Sequence, residues 1–166
     1  MTDSAAAALT LRLPTTADEA DVRALNSSCS TDTFDFLAGA GALSAERTDS
    51  ADYTAFLDSV RNQHEGTNLP DGWLPADFLL AEITTDGGGT ALIGRRGYAT
   101  EILRQSLALL AERGIGKALI TCDEDNAGSI GVIEANGGIL DDRRTNPDGT
   151  LIRRYWIELS PEPVTR

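Results

Sequence analysis

The stretch Ile93-Gly94-Arg95-Arg96-Gly97-Tyr98-Ala99-Thr100-Glu101-Ile102-Leu103 decides the reading of this chain. A short apolar run ends, two arginines and a glycine follow, and an amphipathic helix begins. The first N–H groups of a helix have no intrahelical partner, and the aligned peptide dipoles make that end positive. A glycine there lets an anionic group approach the backbone without striking a Cβ. The pattern predicts a phosphate-binding turn. Its rival is plain surface charge, since many strand-to-helix turns carry Gly and Arg for solubility.

Downstream, Ile102, Leu103, Leu107 and Leu110, with Ala99, mark the buried side of a helix over about 98–113, and Gly114 stops it. Lys117 to Cys122 reads as a strand, so a helix sits between it and the short strand Ala91 to Ile93. That is a βαβ unit, for which a right-handed crossover is expected. Asp123-Glu124-Asp125-Asn126 is a polar turn into a helix from Ala127 to Asn136, ended by Gly137-Gly138. Ile139-Leu140 starts a strand, Asn146-Pro147-Asp148-Gly149 is a turn, and Leu151 to Leu159 is the last strand, with Leu151, Tyr155, Ile157 and Leu159 on one face.

Upstream, Leu9, Leu11 and Leu13 alternate with polar residues until Pro14, a strand pattern. Thr16 can cap a helix whose stripe is Val22 and Leu25. Loops with short helical pieces near Phe34 to Leu37 are expected from Asn26 to Ser50. Asp49 or Ser50 can then cap a helix with Tyr53, Phe56, Leu57 and Val60 on one face, ended by Gly66. Pro70, Gly72, Trp73 and Pro75 define an ordered connector, followed by an interior strand, Phe78 to Ile83. Thr84 to Gly89 reads as a turn. Residues 9–159 are expected to form one domain between tails 1–8 and 160–166.

A net charge of −12 argues against sequence-independent nucleic-acid binding and against an anionic membrane, and weakly favours a cationic partner such as an amine. Cys29 and Cys122 match no metal-ligand spacing, and the single histidine, His64, excludes mechanisms needing two. No apolar run approaches bilayer length and Ala5 to Ala8 are too few for a signal-peptide core, so a cytoplasmic protein is expected. Gly94-Arg95-Arg96-Gly97 lacks the Gly-Lys-Ser/Thr of a nucleotide hydrolase, and no Gly-x-Gly-x-x-Gly follows the first strand.

Arg95 to Thr100 followed by a long helix, a strand, Asp-Glu-Asp-Asn-x-x-Ser, a helix and Asn-Gly-Gly resembles the GCN5-related N-acetyltransferases. The resemblance implies an α/β (α+β) fold: a mixed, mostly antiparallel sheet flanked by helices. It implies acetyl-CoA as co-substrate, its pyrophosphate contacted by Arg95, Arg96, Gly97, Tyr98, Ala99 and Thr100. It also implies that Asn126 contacts the cofactor arm, with Ser129 one turn later.

Three departures stand beside it. Gly94 occupies the loop position where the family has Gln or Arg. Ile133 lies near the place of a general-acid tyrosine found in many members; Tyr155 is the candidate substitute, with core packing as its competing role. Only Thr84 to Gly94 separate the strand at Ile83 from the phosphate turn, room for one turn and one short strand at ~3.3 Å per residue. Family members place further strands there, so the central strands are reduced.

The implied activity is acetyl transfer to a primary amine, on a small molecule or a peptide. Glu82, Asp123 and Glu124 are candidate proton acceptors, each also readable as a solvated charge. The alternative is a catalytically impaired relative: a CoA-binding or interaction module, or a homodimer that completes its shortened sheet by edge pairing.

Overall fold

A computed structural model describes residues 8–29, 50–84, 90–92 and 97–159. The chain forms two compact units, Met1–Arg96 and Gly97–Arg166.

In the first unit, β1 (Leu9–Arg12) pairs antiparallel with β2 (Leu80–Thr84) from Leu9 opposite Ile83 to Arg12 opposite Leu80. The other edge of β2 carries β3 (Thr90–Leu92), so β2 is interior as its apolar run predicts. Two helices, α1 (Glu19–Cys29) and α2 (Ser50–Glu65), supply the other layer. Val22 from α1 and Tyr53, Phe56 and Val60 from α2 meet Leu80 in one buried cluster. The face of α2 read from its spacing is thus the buried one. Phe78 is not in the strand: it packs edge-on against Phe56 with ring centroids 5.3 Å apart, a favourable aromatic geometry.

Thr15, one residue earlier than expected, caps a 3-10 turn (Thr16–Asp18) that leads into α1. Asp18 reaches back to accept from Thr15 N at 2.7 Å and from the Thr15 hydroxyl at 2.8 Å. The same carboxylate takes Arg12 Nη1 and Nη2 at 2.8 and 2.7 Å, and Arg12 also donates to Glu82 from Nη2 at 3.1 Å and Nε at 3.3 Å. Arg12 and Glu82 are diagonal neighbours on one sheet face, which brings long side chains into reach. Helix α1 runs on through Asn26, where a loop is expected, and Asn26 is buried at 4% exposure. The expected helical piece at 34–37, the Asp49 cap, Ile93, the terminal tails and most of the 84–89 turn lie outside the described residues.

The second unit begins with α3 (Ala99–Glu112), followed by β4 (Lys117–Asp123), α4 (Ala127–Ala135), β5 (Ile139–Thr145) and β6 (Leu151–Glu158). Its sheet order is β4-β6-β5, both pairings antiparallel. Leu107, Ala118, Ile133, Tyr155 and Ile157 form the core, with Leu103 and Leu110 packed against it. Ala99, expected on the buried side, is exposed, because the contact of α3 with this core starts a turn later at Leu103. Helix α3 ends at Gly114 with φ +79°, where Gly114 N donates to Ala111 O (2.9 Å) and Ile115 N to Leu110 O (3.1 Å). Only a residue tolerant of positive φ lets the chain double back to satisfy those carbonyls.

The fold class is therefore mixed α/β, two antiparallel sheets flanked by four helices among the described residues. The parallel pairing expected of a βαβ unit is not among the described strand ladders.

Candidate functional site

The start of α3 carries the predicted phosphate turn. Arg95 and Arg96 lie outside the described residues; Gly97, Tyr98, Ala99 and Thr100 lie within them. Gly97 sits at φ +78°, so the local backbone demands glycine, and a Cβ there would meet no described atom within 4 Å. Tyr98 is the N-cap residue, its own side chain makes no capping hydrogen bond, and the first intrahelical bond is Ile102 N to Tyr98 O at 2.9 Å. Among the described residues, the amides at the front of α3 thus keep their donors without a side-chain cap and with a positive dipole behind them.

Helix α4 starts differently. Asn126 Oδ1 accepts from Ser129 N at 3.0 Å, an N-cap that uses up the carbonyl end of the asparagine side chain. Asn126 and Ser129 are therefore brought together, but by a capping bond. The side-chain nitrogen of Asn126, Nδ2, makes no hydrogen bond among the described residues.

Asn136, whose side chain the sequence reading left without a role, joins these helices. Its Nδ2 donates to Val132 O at 2.9 Å and to Thr100 O at 3.1 Å, pinning the first turn of α3 to the end of α4. The Asn-Gly-Gly stop was the only local signal for it.

The carboxylates divide. Glu124 accepts from Arg143 Nε at 3.0 Å and Arg153 Nη2 at 2.8 Å, and those guanidinium groups hold its carboxyl below the usual range. Glu82, in the first unit, is held below its ordinary range by Arg12. Both are poor proton acceptors, since the pairing that lowers the pKa also lowers basicity. Asp123 ends β4 exposed, with its backbone carbonyl accepting from Asn126 N at 3.2 Å.

Tyr155 is 1% exposed in the core, its hydroxyl donating to Glu134 Oε1 at 3.4 Å. Its core role is the one realised in the packing. Ile133, which the resemblance puts near the place of a tyrosine in many family members, is buried at 3%. His64 is on the surface as expected, with Nδ1 2.6 Å from Asp77 Oδ1. Burial pushes the Cys122 thiol above its ordinary value, which makes it a weak nucleophile. Among the described residues no three His, Cys, Asp or Glu side chains are grouped to hold a metal ion, and no helix is long and apolar enough to cross a membrane.

No family model and no curated protein matches the sequence. Solved structures do match the fold. The RimL ribosomal alpha-N-protein acetyltransferase in complex with coenzyme A has a TM-score of 0.59 at 16% identity, covering 93% of this chain and 96% of that one. The microcin C7 self immunity acetyltransferase MccE, in complex with acetyl-CoA and AMP, has a TM-score of 0.55 at 14% identity, covering 90% and 92%. The dodecameric spermidine N-acetyltransferase from Vibrio cholerae has a TM-score of 0.52 at 14% identity, covering 94% and 96%. By fold, this chain is similar to these acetyltransferases over nearly its whole length.

Proposed function

We propose that this protein is an acetyl-CoA-dependent N-acetyltransferase acting on a primary amine. The observation that carries the reading is the front of α3, which follows a glycine at φ +78° and has no side-chain cap among the described residues. In this reading the amides from Gly97 to Thr100 bind the diphosphate, with Arg95 and Arg96 adding charge. Asn126 offers its side-chain Nδ2 to the cofactor arm while its Oδ1 caps α4, and Ser129 lies one turn on. Acetyl-CoA supplies the acetyl group as a thioester, which a neutral amine attacks.

The chain's own part is to hold the thioester still, to stabilise the carbonyl oxygen as it gains charge and to let the amine lose its proton. With Glu82 and Glu124 tied to arginines, Asp123 is the remaining candidate to take that proton, directly or through water. A cytoplasmic location belongs to the same reading. Calorimetric titration with acetyl-CoA, followed by thiol release against polyamines and peptide amino termini, tests it. Saturable binding with turnover on one amine class is expected; no binding overturns it.

One observation favours a second reading, a relative that binds CoA without turning it over. Ile133 cannot donate a proton, and Tyr155 is buried and bonded to Glu134. Binding with no thiol release against any amine would select it.

A further inference from the structure

The connector after α2 is tied down along its length. Thr67 N donates to Asn62 O at 2.9 Å and Ala76 N to Gln63 O at 3.0 Å, fastening both ends of the loop to the last turn of the helix. Asn62 Oδ1 accepts from the Thr67 hydroxyl at 3.2 Å and Asn68 Nδ2 at 3.3 Å, and Asp77 closes on His64 at 2.6 Å. Within this frame Trp73 N bonds to Pro70 O at 3.0 Å, setting a turn whose next two side chains point to solvent.

Trp73 is 60% exposed and Leu74 80%. Single exposed apolar residues are ordinary, but an adjacent Trp-Leu pair on a fastened turn contributes little to the core. Such a pair loses little conformational freedom when a partner covers it, which is the property of an interface anchor. The surroundings specify the partner's charge. No lysine or arginine occurs between Arg61 and Arg95, and Glu65 and Asp71 are exposed beside the turn. A second copy of a chain with net charge −12 would bring like charges together there.

We propose that the 66–79 loop is a docking surface for a basic amphipathic polypeptide segment, Trp73 and Leu74 packing on its apolar face while its Lys and Arg residues meet Glu65 and Asp71. The surface is independent of acetyl-CoA binding.

The test uses the full chain and a synthetic amphipathic peptide alternating Lys and Leu, with a Glu-Leu peptide as control. Binding is read by calorimetry at low and high salt. The Lys-Leu peptide should bind the wild type, weaken with salt, and lose at least about tenfold in affinity when Trp73→Ala and Leu74→Ala are combined. Trp73→Phe should retain most of the affinity. Both side chains are exposed, so the double variant should keep the wild-type circular dichroism and acetyl-CoA affinity. Equal affinity of the double variant, equal binding of the Glu-Leu peptide, or no binding of the Lys-Leu peptide overturns the proposal. So does self-association in sedimentation that the double variant abolishes, which would give the loop to a second copy.

Discussion

Asn136 holds Thr100: the side-chain nitrogen of one, at the C-cap of α4, donates at 3.1 Å to the carbonyl of the other, in the first turn of α3. The bond fixes the helix end whose amides are the proposed diphosphate site. Asn136→Ala removes the bonds to both Thr100 O and Val132 O and should cost about 1–3 kcal/mol of stability. It should weaken acetyl-CoA binding severalfold. Asn136→Asp removes the donor as well and should match or exceed that loss. Thermal unfolding and calorimetry check both.

Two glycines separate binding from folding. Gly97→Ala meets no described atom within 4 Å, but at φ +78° a Cβ costs about 1–2 kcal/mol and stands on the approach to the amides. Gly138→Ala would drive a Cβ to 2.9 Å from Ile133 O and into Ile133 Cγ2, a backbone clash beside the core. The second should lower the urea midpoint by more, while the first should lower acetyl-CoA affinity more for each unit of stability lost.

Arg95→Ala combined with Arg96→Ala should weaken acetyl-CoA binding, and the deficit should shrink as salt rises because the lost term is electrostatic. Affinity equal to wild type at every salt concentration would mark both as ordinary surface charge.

The Arg12–Asp18 pair makes stability fall in acid. Hydrogen bonds from Arg12 come first and those from Thr15 add to them; together they hold Asp18 well below the ordinary carboxylate range. A carboxylate depressed in the folded state stabilises fully above its unfolded pKa of ~4, and the stabilisation is lost as pH falls toward the folded value. Asp18→Asn should therefore flatten part of the fall in the urea midpoint below about pH 4. Near neutrality it should cost about 2–3 kcal/mol, since it leaves Arg12 with one carboxylate fewer in a partly buried place.

Tyr53 gives the opposite sign at high pH. Burial first, then the charges of Asp18 and Glu19, push its hydroxyl up to about 12. A group raised in the folded state stabilises below its unfolded pKa of ~10 and loses that contribution as pH climbs through the folded value. Ultraviolet absorbance should show one of the three tyrosines ionising last. Tyr53→Phe should abolish that step and cost about 1 kcal/mol through the lost bond to Thr15 O.

What was legible in the sequence was local. The apolar face of α2, the glycine stops after Arg113 and Asn136, and the Asn146–Gly149 turn between β5 and β6 follow from residues a few positions apart. The glycine turn before α3 was readable for the same reason, because a glycine and the first turn of a helix are neighbours in the chain. The Thr15–Asp18 cap was also within reach; Thr16 displaced it only because a 3-10 turn precedes α1.

The sequence by itself determined the elements, their order and the likeness that pointed to an acetyltransferase fold. Tertiary structure alone decided which side chains are already engaged: Glu82 on Arg12, Glu124 on Arg143 and Arg153, Tyr155 in the core, and Asn136 on Thr100. Helix and turn signals act within a few residues. Side-chain partners depend on strand register and helix packing, which join residues as far apart as Arg12 and Glu82.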